Sequence, residues 1–286
     1  INIENSIAHV QVEDVKYFQN IHKQGLDRKN DEILIPKHTI ISAAEIGVLA
    51  TVGKTTVKVA KLPKIAIVST GDELVDVSEI PAPFQIRTSN VHTLVAALRS
   101  FELIPDLFHI ADNKDKLRQK IKLLLESHDV LMFSGAVSKG KFDYLPEILK
   151  ELAVQKLFHK VRQRPGKPFW FGKKDQTTIF AFPGNPVSTF VSCLKYFVPW
   201  LHKSLETATS KKDFAVLAED FYFKPELTYF LQVKIKNEAG VLSAFPIAGN
   251  GSGDLANLTH NDAFMELPSD RTDFKKGEAF PIIKYR

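Results

Sequence analysis

The sequence has one cysteine, Cys193, among 286 residues. A single cysteine can form neither an internal disulfide nor a cysteine cluster for a metal, which favours a reducing compartment. No stretch is typical of a signal peptide or of a membrane span. We therefore expect a cytoplasmic protein that has no membrane partner. Cys193 falls inside a predicted helix, where we expect it to be packed and inert.

The sequence also lacks a strong excess of either charge, since the formal net charge is only +5. An excess this small and this dispersed suits small anions and gives no support to a nucleic-acid partner. A Walker loop is missing as well. Its nearest match, Gly47 with Gly53-Lys54-Thr55, has one intervening residue too many and leads into a predicted strand, which argues against a P-loop kinase.

The hydrophobic fraction of 44% and the charged fraction of 25% are those of an ordinary globular protein. We divide the chain into a β-rich segment (residues 1–63), an α/β domain (64–205) and a C-terminal β-barrel-like domain (206–286). In the first segment we expect a strand over residues 55–62. The chain begins at Ile1 and enters directly into structured-looking sequence, so we expect it to be a piece of a longer protein and this segment the remainder of a larger domain.

Strands alternate with helices from residue 64 onward, which predicts a doubly wound, mostly parallel sheet. Three polar or Gly-rich loops each follow a strand and precede a helix, at residues 69–73, 134–140 and 183–188. Ligands of such sheets bind beyond the carboxyl ends of the strands. Residues 169–172 and 177–182 look like an antiparallel pair, which brings residues 165–168 to the same edge. The sequence therefore predicts one shared cleft.

Two Gly-Pro clusters in this cleft point to an anion. Lys167 stands between Pro165-Gly166 and Pro168, which hold its backbone and favour a placed cation over an ordinary surface lysine. Arg164 adds a planar guanidinium that suits an oxyanion. The second cluster, Pro183-Gly184-Asn185-Pro186, ends a strand and opens a helix, where anions bind.

Four acidic residues lie at the ends of neighbouring segments: Asp72, Glu73, Asp112 and Asp143. Each alone would be a capping or first-turn carboxylate. Beside an anion site, however, acids repel the ligand unless a divalent cation lies between them. Mg²⁺ binds through few carboxylates together with ligand phosphates, so the group predicts a magnesium site.

These motifs resemble those of the molybdopterin molybdenumtransferase family, which performs the last step of molybdenum cofactor synthesis. The resemblance covers nearly the whole chain and is strongest over residues 64–201. It rests on motifs that occur in the family's order at suitable spacing: Ser69-Thr70-Gly71-Asp72-Glu73-Leu74, Ser89-Asn90, Ser134-Gly135 with Val137-Ser138, Gly140 and Asp143-Tyr144, Pro165-Gly166-Lys167-Pro168, and Pro183-Gly184-Asn185-Pro186-Val187-Ser188.

The resemblance implies an enzyme that takes adenylylated molybdopterin and molybdate, inserts molybdenum at the dithiolene and releases AMP with the help of Mg²⁺. It further implies an elongated homodimer with a shared cleft, and other enzymes of molybdenum cofactor synthesis as partners. Lys167, Pro168 and Ser188 would lie at or near molybdate. The catalytic residues it implies are Glu73, Asp143 and Lys167, with Asp72 and Asp112 at the metal. The substrate-binding residues are Thr70, Gly71, Asp72, Asn90, Asp112, Ser134, Gly135, Ser138, Arg164, Pro165, Gly166, Pro168, Pro183, Gly184, Asn185 and Ser188.

The sequence departs from the family pattern at several positions. Lysine is usual where Arg164 stands, and arginine where Gln232 stands; Ala136, Lys139, Asp254 and Ala256 are further departures. The N-terminal portion of the family is not found. The departures keep open a dimeric scaffold that has lost turnover. A molybdopterin adenylyltransferase uses a similar central domain, but the flanking β segments favour the insertion enzyme. A nicotinamide-nucleotide amidase with the same type of central domain is disfavoured, because it would carry Gly-Pro-Thr and paired aspartates where Ser138-Lys139-Gly140 stands.

Overall fold

The computed structural model describes residues 1–12, 14–135, 137, 144–207, 212–247 and 249–286. The chain forms two compact units, Ile1–Lys58 and Val59–Arg286. None of the helices in these described ranges has the length and apolar character that crossing a membrane requires.

The described residues of the first unit form two short strands and one helix: β1 (Asn2–Glu4), β2 (Ile7–His9) and α1 (Ala43–Thr51). Ser42 begins α1 with a capping box, in which its side chain accepts from the backbone while Glu45 accepts from the backbone N–H of Ser42. The strand expected over residues 55–62 was wrong. Its apolar side chains Val57, Val59 and Leu62 are exposed, and β-branched residues form a strand only where a partner strand takes up their backbone hydrogen bonds.

The second unit begins with alternating strands and helices. In chain order they are β3 (Ile65–Thr70), β4 (Leu74–Val75), β5 (Ile86–Arg87), α2 (Asn90–Arg99), β6 (Asp106–Ile110), α3 (Lys114–Ser127), β7 (Val130–Ser134), α4 (Leu145–Glu151), β8 (Gln155–His159), β9 (Gln163–Arg164), β10 (Trp170–Lys174), β11 (Thr177–Phe182), α5 (Pro186–Ser192) and, after a π-helical turn over Cys193–Phe197, α6 (Val198–Ser204).

Six of these strands form one sheet in the order β6-β3-β7-β11-β10-β8. β6, β3, β7 and β11 pair in parallel, and β10 pairs antiparallel with both of its neighbours. Every residue of β3 and β7 is buried, as expected of parallel strands that are covered on both faces. The predicted doubly wound, mostly parallel sheet is confirmed.

One apolar core lies on each face of this sheet. On one face, side chains such as Leu117 and Ile121 of α3 pack with Leu145 of α4. On the other face, Leu94 of α2 packs with Phe197 of the π-helical turn and Leu201 of α6. Cys193 belongs to this second core and is 1% exposed, as predicted. Burial raises the pKa of its thiol to about 12, so it stays protonated and unreactive.

A β-barrel completes the unit. Its elements are β12 (Asp213–Leu217), β13 (Phe221–Tyr222), β14 (Thr228–Glu238), β15 (Val241–Pro246), a 3₁₀ turn over Ala256–Thr259, β16 (Ala263–Leu267), β17 (Asp273–Phe274) and β18 (Ala279–Lys284). Five strands close on themselves in the order β15-β12-β18-β16-β14, because β14 also pairs with β15. The C-terminal β-barrel expected from the sequence is therefore present.

Two features join the barrel to the α/β sheet. β9, which lies between β8 and β10 in the chain, pairs in parallel with β14 of the barrel. Val187 and Val191 of α5 share a buried apolar cluster with Phe230, Leu258 and Phe264 of the barrel. The segment from Gln163 to Trp170 thus runs from one sheet to the other.

Candidate functional site

A cavity of about 680 Å³ lies where the barrel meets the α/β sheet. The β10–β11 hairpin brings both Gly-Pro clusters to it, since Trp170 at the start of β10 lies opposite Ala181 near the end of β11. The predicted site residues that line it are Arg164, Pro165, Gly166, Lys167, Pro168, Pro183, Gly184, Asn185 and Ser188. The barrel contributes Leu227, Tyr229, Phe230, Gln232 and a Gly-rich loop that includes Asn250, Gly251 and Ser252.

The charged groups of this lining are of one sign. Arg164 and Lys167 line the cavity, and no acidic side chain of the described residues does. Both cations are exposed, and neither forms an ion pair with the described part of the chain. The Arg164 guanidinium lies 5.9 Å from the centre of the Phe223 ring, a cation–π distance. The cavity is therefore suited to an anion.

Buried hydrogen bonds of Gln163 and Tyr196 stabilise the loop that carries Lys167. The side-chain amide of Gln163 donates to the Pro165 carbonyl at 2.9 Å, and the Tyr196 hydroxyl donates to Gln163 Oε1. Gln163 is only 3% exposed, so these contacts are shielded from water. Gly166 has φ +96°, and a Cβ there would meet Gln163 Nε2 at 2.7 Å and Ser192 Oγ at 2.8 Å. The close approach therefore requires glycine.

Tyr196 comes from the π-helical turn and faces the α/β core. Its ring stacks on Phe169 with the ring centres 4.4 Å apart. Burial, together with the charge of Glu266, raises the pKa of the Tyr196 phenol to about 12, so the phenol remains a donor across the physiological range. The preceding residue, Lys195, pairs with Glu266 of β16 at 2.6 Å. The turn thus supports the Lys167 loop and contacts the barrel at once.

The opposite wall joins α5 to the Gly-rich loop of the barrel. Asn185 Nδ2 donates to Ser252 Oγ at 2.7 Å, and the Val187 N–H donates to the Ser252 carbonyl at 3.1 Å. Within the loop, Asp254 accepts from the Asn250 N–H at 2.9 Å and so folds the loop back on itself. Asp254, which departs from the family pattern, therefore has a structural role here.

The second group of predicted residues lies at the carboxyl ends of the parallel strands and does not line the cavity. It comprises Thr70, Gly71, Asp72, Glu73, Asn90, Asp112, Ser134 and Gly135. Asp72 Oδ1 accepts from the Asp112 N–H at 3.0 Å, which makes these two acids neighbours. The Glu73 carboxylate lies over Gly71, since a Cβ there would clash with Glu73 Oε2. Ser138 and Asp143 lie outside the described residues.

Asn90 connects the two groups. Its side-chain amide donates to Ser134 Oγ at 2.9 Å and to the Gly184 carbonyl at 2.6 Å. Gly184 also lies close to Gly135, because a Cβ on Gly184 would be 3.8 Å from the Gly135 Cα. The acidic strand ends and the cationic cavity are therefore adjacent parts of one surface.

Several residues that build the site were not predicted, namely Gln163, Tyr196, Tyr229 and Phe230. Gln163 had a signal that could have found it, because it stands next to Arg164 in front of the Pro-Gly-Lys cluster. Tyr229 stacks on Phe223 with the ring centres 4.2 Å apart, and burial raises the pKa of its phenol. Its alternation along a barrel strand is that of an ordinary packed tyrosine, so no sequence signal distinguishes it.

Two family models match the chain. Residues 66–203 match "Probable molybdopterin binding domain", and residues 215–285 match "MoeA C-terminal region (domain IV)". The chain is also similar to a crystal structure of a molybdopterin biosynthesis moeA protein from Pyrococcus horikoshii. The TM-score is 0.74 at 26% identity, over 91% of this chain and 64% of that one.

Curated relatives agree with these matches. A molybdopterin molybdenumtransferase of Synechocystis sp. is 36% identical over 270 residues, which are 93% of this chain and 66% of that protein. One of Staphylococcus epidermidis is 32% identical over 284 residues, 98% of this chain and 68% of the relative. The chain thus spans about two thirds of the length of the curated relatives it matches. Its sequence, its fold and the motifs of its cavity together make it a member of the molybdopterin molybdenumtransferase family.

Proposed function

We propose that the protein inserts molybdenum from molybdate into adenylylated molybdopterin and releases AMP. One observation supports this above the others: Arg164 and Lys167, neither of which has an ion-pair partner among the described residues, line a cavity to which no described acidic residue contributes. Such a cavity suits a small dianion. The match of residues 215–285 to the C-terminal family region favours insertion over adenylyl transfer, which would need the central domain alone.

The residues of the cavity then have distinct tasks. Lys167 and Arg164 bind the oxyanion through charge-assisted hydrogen bonds. Ser188 lies in the same lining, is 3% exposed, and offers a hydroxyl at the start of α5. Ser134 and Asn90, at the ends of β7 and α2, border the cavity on the side of the parallel strands. The pterin and its phosphates would extend along this side, toward Asp72 and Asp112.

The described residues can supply two carboxylate ligands to Mg²⁺, and the ligand phosphates would have to supply others. Asp72 and Asp112 are neighbours with half-exposed or exposed side chains, which suits a cation that binds through one or two carboxylates plus ligand phosphates. The described residues contain no group of three or more acidic, histidine or cysteine side chains that could hold a metal alone. Bound there, Mg²⁺ would neutralise phosphate charge as AMP leaves.

For catalysis we propose Glu73, Asp143 and Lys167, the set that the family resemblance implies. Lys167 would stabilise the negative charge that develops on the oxyanion and the leaving phosphate. The exposed Glu73 carboxylate would accept a proton at the strand edge. We further propose a cytoplasmic homodimer whose partners include the other enzymes of molybdenum cofactor synthesis. Exposed apolar side chains such as Tyr17 (90%) and Ile33 (79%) support an interface on residues 1–58.

The test is AMP release from adenylylated molybdopterin, measured with and without molybdate. Release that requires molybdate is expected. Lys167→Ala and Glu73→Ala should each lower the rate by about tenfold or more, since each removes one charge-stabilising or proton-accepting group. Lys173→Ala, at an exposed lysine of β10 outside the cavity, is the matched control and should retain the full rate.

Three outcomes would contradict the proposal. Wild-type rates from the Lys167 and Glu73 variants would refute the site assignment. Release that does not depend on molybdate would refute insertion. Tight binding of adenylylated molybdopterin without any release would identify the chain as a scaffold.

A further inference from the structure

We propose that Phe223 is a positioning residue for Arg164, whose guanidinium it holds at the wall of the cavity through a cation–π contact. Phe223 directly follows β13 and lies outside the cavity lining, whereas Arg164 belongs to that lining. The inference deepens the proposed function and rests on it in one respect, namely that the anion of the cavity is molybdate.

The Phe223 ring is the contact that fixes the Arg164 side chain. The guanidinium carbon lies 5.9 Å from the centre of the ring. A guanidinium within about 6 Å of a ring centre is attracted by the negative face of the ring. Arg164 is exposed, and its side chain has no ion pair or hydrogen bond with the described residues. A long exposed side chain has many rotamers of similar energy, so the ring determines where the charge lies.

The Phe223 ring is itself held by the barrel. It is 8% exposed and stacks on Tyr229, with the ring centres 4.2 Å apart and the planes 7° from parallel. The Phe223 backbone N–H donates to the Thr272 carbonyl at 2.9 Å. A buried ring with a stacked neighbour is packed too closely to follow a moving guanidinium, so Phe223 is a fixed support.

The pairing of β9 with β14 places Arg164 beside this stack. Tyr229 lies opposite Arg164 in the parallel register, and both residues line the cavity. Burial raises the pKa of the Tyr229 phenol, and the charge of Arg164 opposes this rise, so the guanidinium lies near Tyr229 as well. Lysine would be held less well here, because the guanidinium is planar, more weakly hydrated than an ammonium group and able to stack on aromatic faces.

The test is a double-mutant cycle on molybdate affinity, measured by isothermal titration of the full chain with sodium molybdate. Phe223→Leu should weaken binding about two- to fivefold, the strength of one cation–π contact at an exposed site, because the anion must then immobilise the guanidinium itself. In the Arg164→Gln background, which has no cation at this position, Phe223→Leu should change the affinity much less. Phe223→Tyr keeps the ring and should bind molybdate as wild type does.

Phe221→Leu is the matched control. Phe221 also stacks on Tyr229, with the ring centres 5.8 Å apart, and packs in the same apolar cluster as Phe223. Its ring makes no cation–π contact with Arg164, so Phe221→Leu should lower the melting temperature and leave molybdate affinity close to that of wild type. If Phe223→Leu does not fold, Phe223→Met, which fills the space without a ring, replaces it in the cycle.

A second measurement needs no ligand. The Arg164 guanidinium lies over an aromatic ring, so the ring current should shift the NMR signals of the Arg164 side-chain protons upfield. Arg164→Gln identifies these signals by removing them. Phe223→Leu should abolish the upfield shift, and Phe221→Leu should retain it.

Four results would overturn the inference: an equal loss of affinity from Phe223→Leu in both backgrounds, an equal loss from Phe221→Leu, Arg164 signals that do not change in Phe223→Leu, or no molybdate binding at all. AMP release on the same preparations separates the inference from the proposed function. Phe223→Leu should raise the molybdate concentration for half-maximal release by more than it lowers the maximal rate. Molybdate binding that depends on Phe223, without AMP release, would refute the enzyme and leave the inference standing. AMP release with an unchanged molybdate requirement in Phe223→Leu would do the reverse.

Discussion

Tyr196 supports the loop that carries Lys167 but does not line the cavity itself. The variant Tyr196→Phe tests that support. The substitution removes only the hydroxyl that donates to Gln163 Oε1. The stack on Phe169, with ring centres 4.4 Å apart and planes 8° from parallel, can persist because phenylalanine keeps the ring. What changes is therefore one buried hydrogen bond under the Pro165-Gly166-Lys167 segment.

The expected size follows from burial. Gln163 is 3% exposed, so its Oε1 loses its partner where water does not replace it. An unsatisfied buried acceptor costs about 1–3 kcal/mol of unfolding free energy. If the freed loop gains the backbone conformational entropy of about one residue, binding molybdate must order that residue again. This ordering costs about 1–2 kcal/mol of binding free energy, which is about a five- to thirtyfold loss of affinity.

The assay combines urea unfolding with molybdate titration, and Tyr285→Phe is the matched control. The Tyr285 hydroxyl also donates one hydrogen bond, to the Leu258 carbonyl at 3.2 Å, but Tyr285 lies outside the cavity lining. Both variants should lower the urea midpoint, and only Tyr196→Phe should weaken molybdate binding. Equal molybdate affinities in the two variants would refute the support role.

The raised pKa of Tyr196 gives a check on pH. The ordinary pKa of a tyrosine phenol is 10.0, and burial raises the pKa of Tyr196 to about 12. A group whose folded pKa is raised contributes stability below its unfolded pKa and loses it as pH rises through the folded one. Wild type should therefore lose stability between about pH 10 and pH 12 by more than Tyr196→Phe does.

Two further predictions concern stability. Gly166→Ala should lower the urea midpoint and the molybdate affinity by more than Gly240→Ala does. Both glycines have positive φ, which costs about 1–2 kcal/mol for alanine. Of the two sites, only Gly166 has neighbours that an added Cβ would meet. Equal effects would show that the tight contacts relax freely. The Asp106 carboxyl has a lowered pKa, chiefly because of its hydrogen bond with His128 at 3.0 Å. Its contribution to stability should be full above about pH 4 and lost as pH falls through the lowered pKa, and His128→Gln should flatten this acid dependence.

The sequence was sufficient for the parts of the site that follow from strand order. An antiparallel hairpin had to bring residues 165–168 and 183–186 to one edge, and the structure has them there. The acidic residues were expected beside them, and Asp72 and Asp112 do lie at the carboxyl ends of the strands. They do not line the cavity, because β3 and β10 are separated by β7 and β11. Which residues perform catalysis stays a prediction.

Other features depend on tertiary contacts that periodicity does not encode. The predicted helix that contains Cys193 is continuous in the structure, but Cys193–Phe197 is π-helical. Apolar spacing is similar on either side of this turn, so only Pro199, which cannot donate a backbone hydrogen bond, marks an irregularity. The hydrogen bond of Tyr196 to Gln163 depends on this turn and could not be foreseen. The prediction of a strand over residues 55–62 was wrong for a related reason, because the local sequence does not specify a strand for it to pair with.

The pairing of β9 with β14 has a consequence for how this protein can be cut and recombined. Thr228 and Tyr229 lie beside Gln163 and Arg164, so the barrel provides the hydrogen-bonding neighbour of the strand that leads into Pro165. A fragment ended after Leu205 would keep every strand of the α/β sheet, yet would leave β9 without β14, the strand that it pairs with. A chimaera that takes its barrel from a relative would also change what lies beside Arg164. Exchanging the barrel for that of a relative would therefore alter the lining of the cavity, even if residues 64–205 were left unchanged.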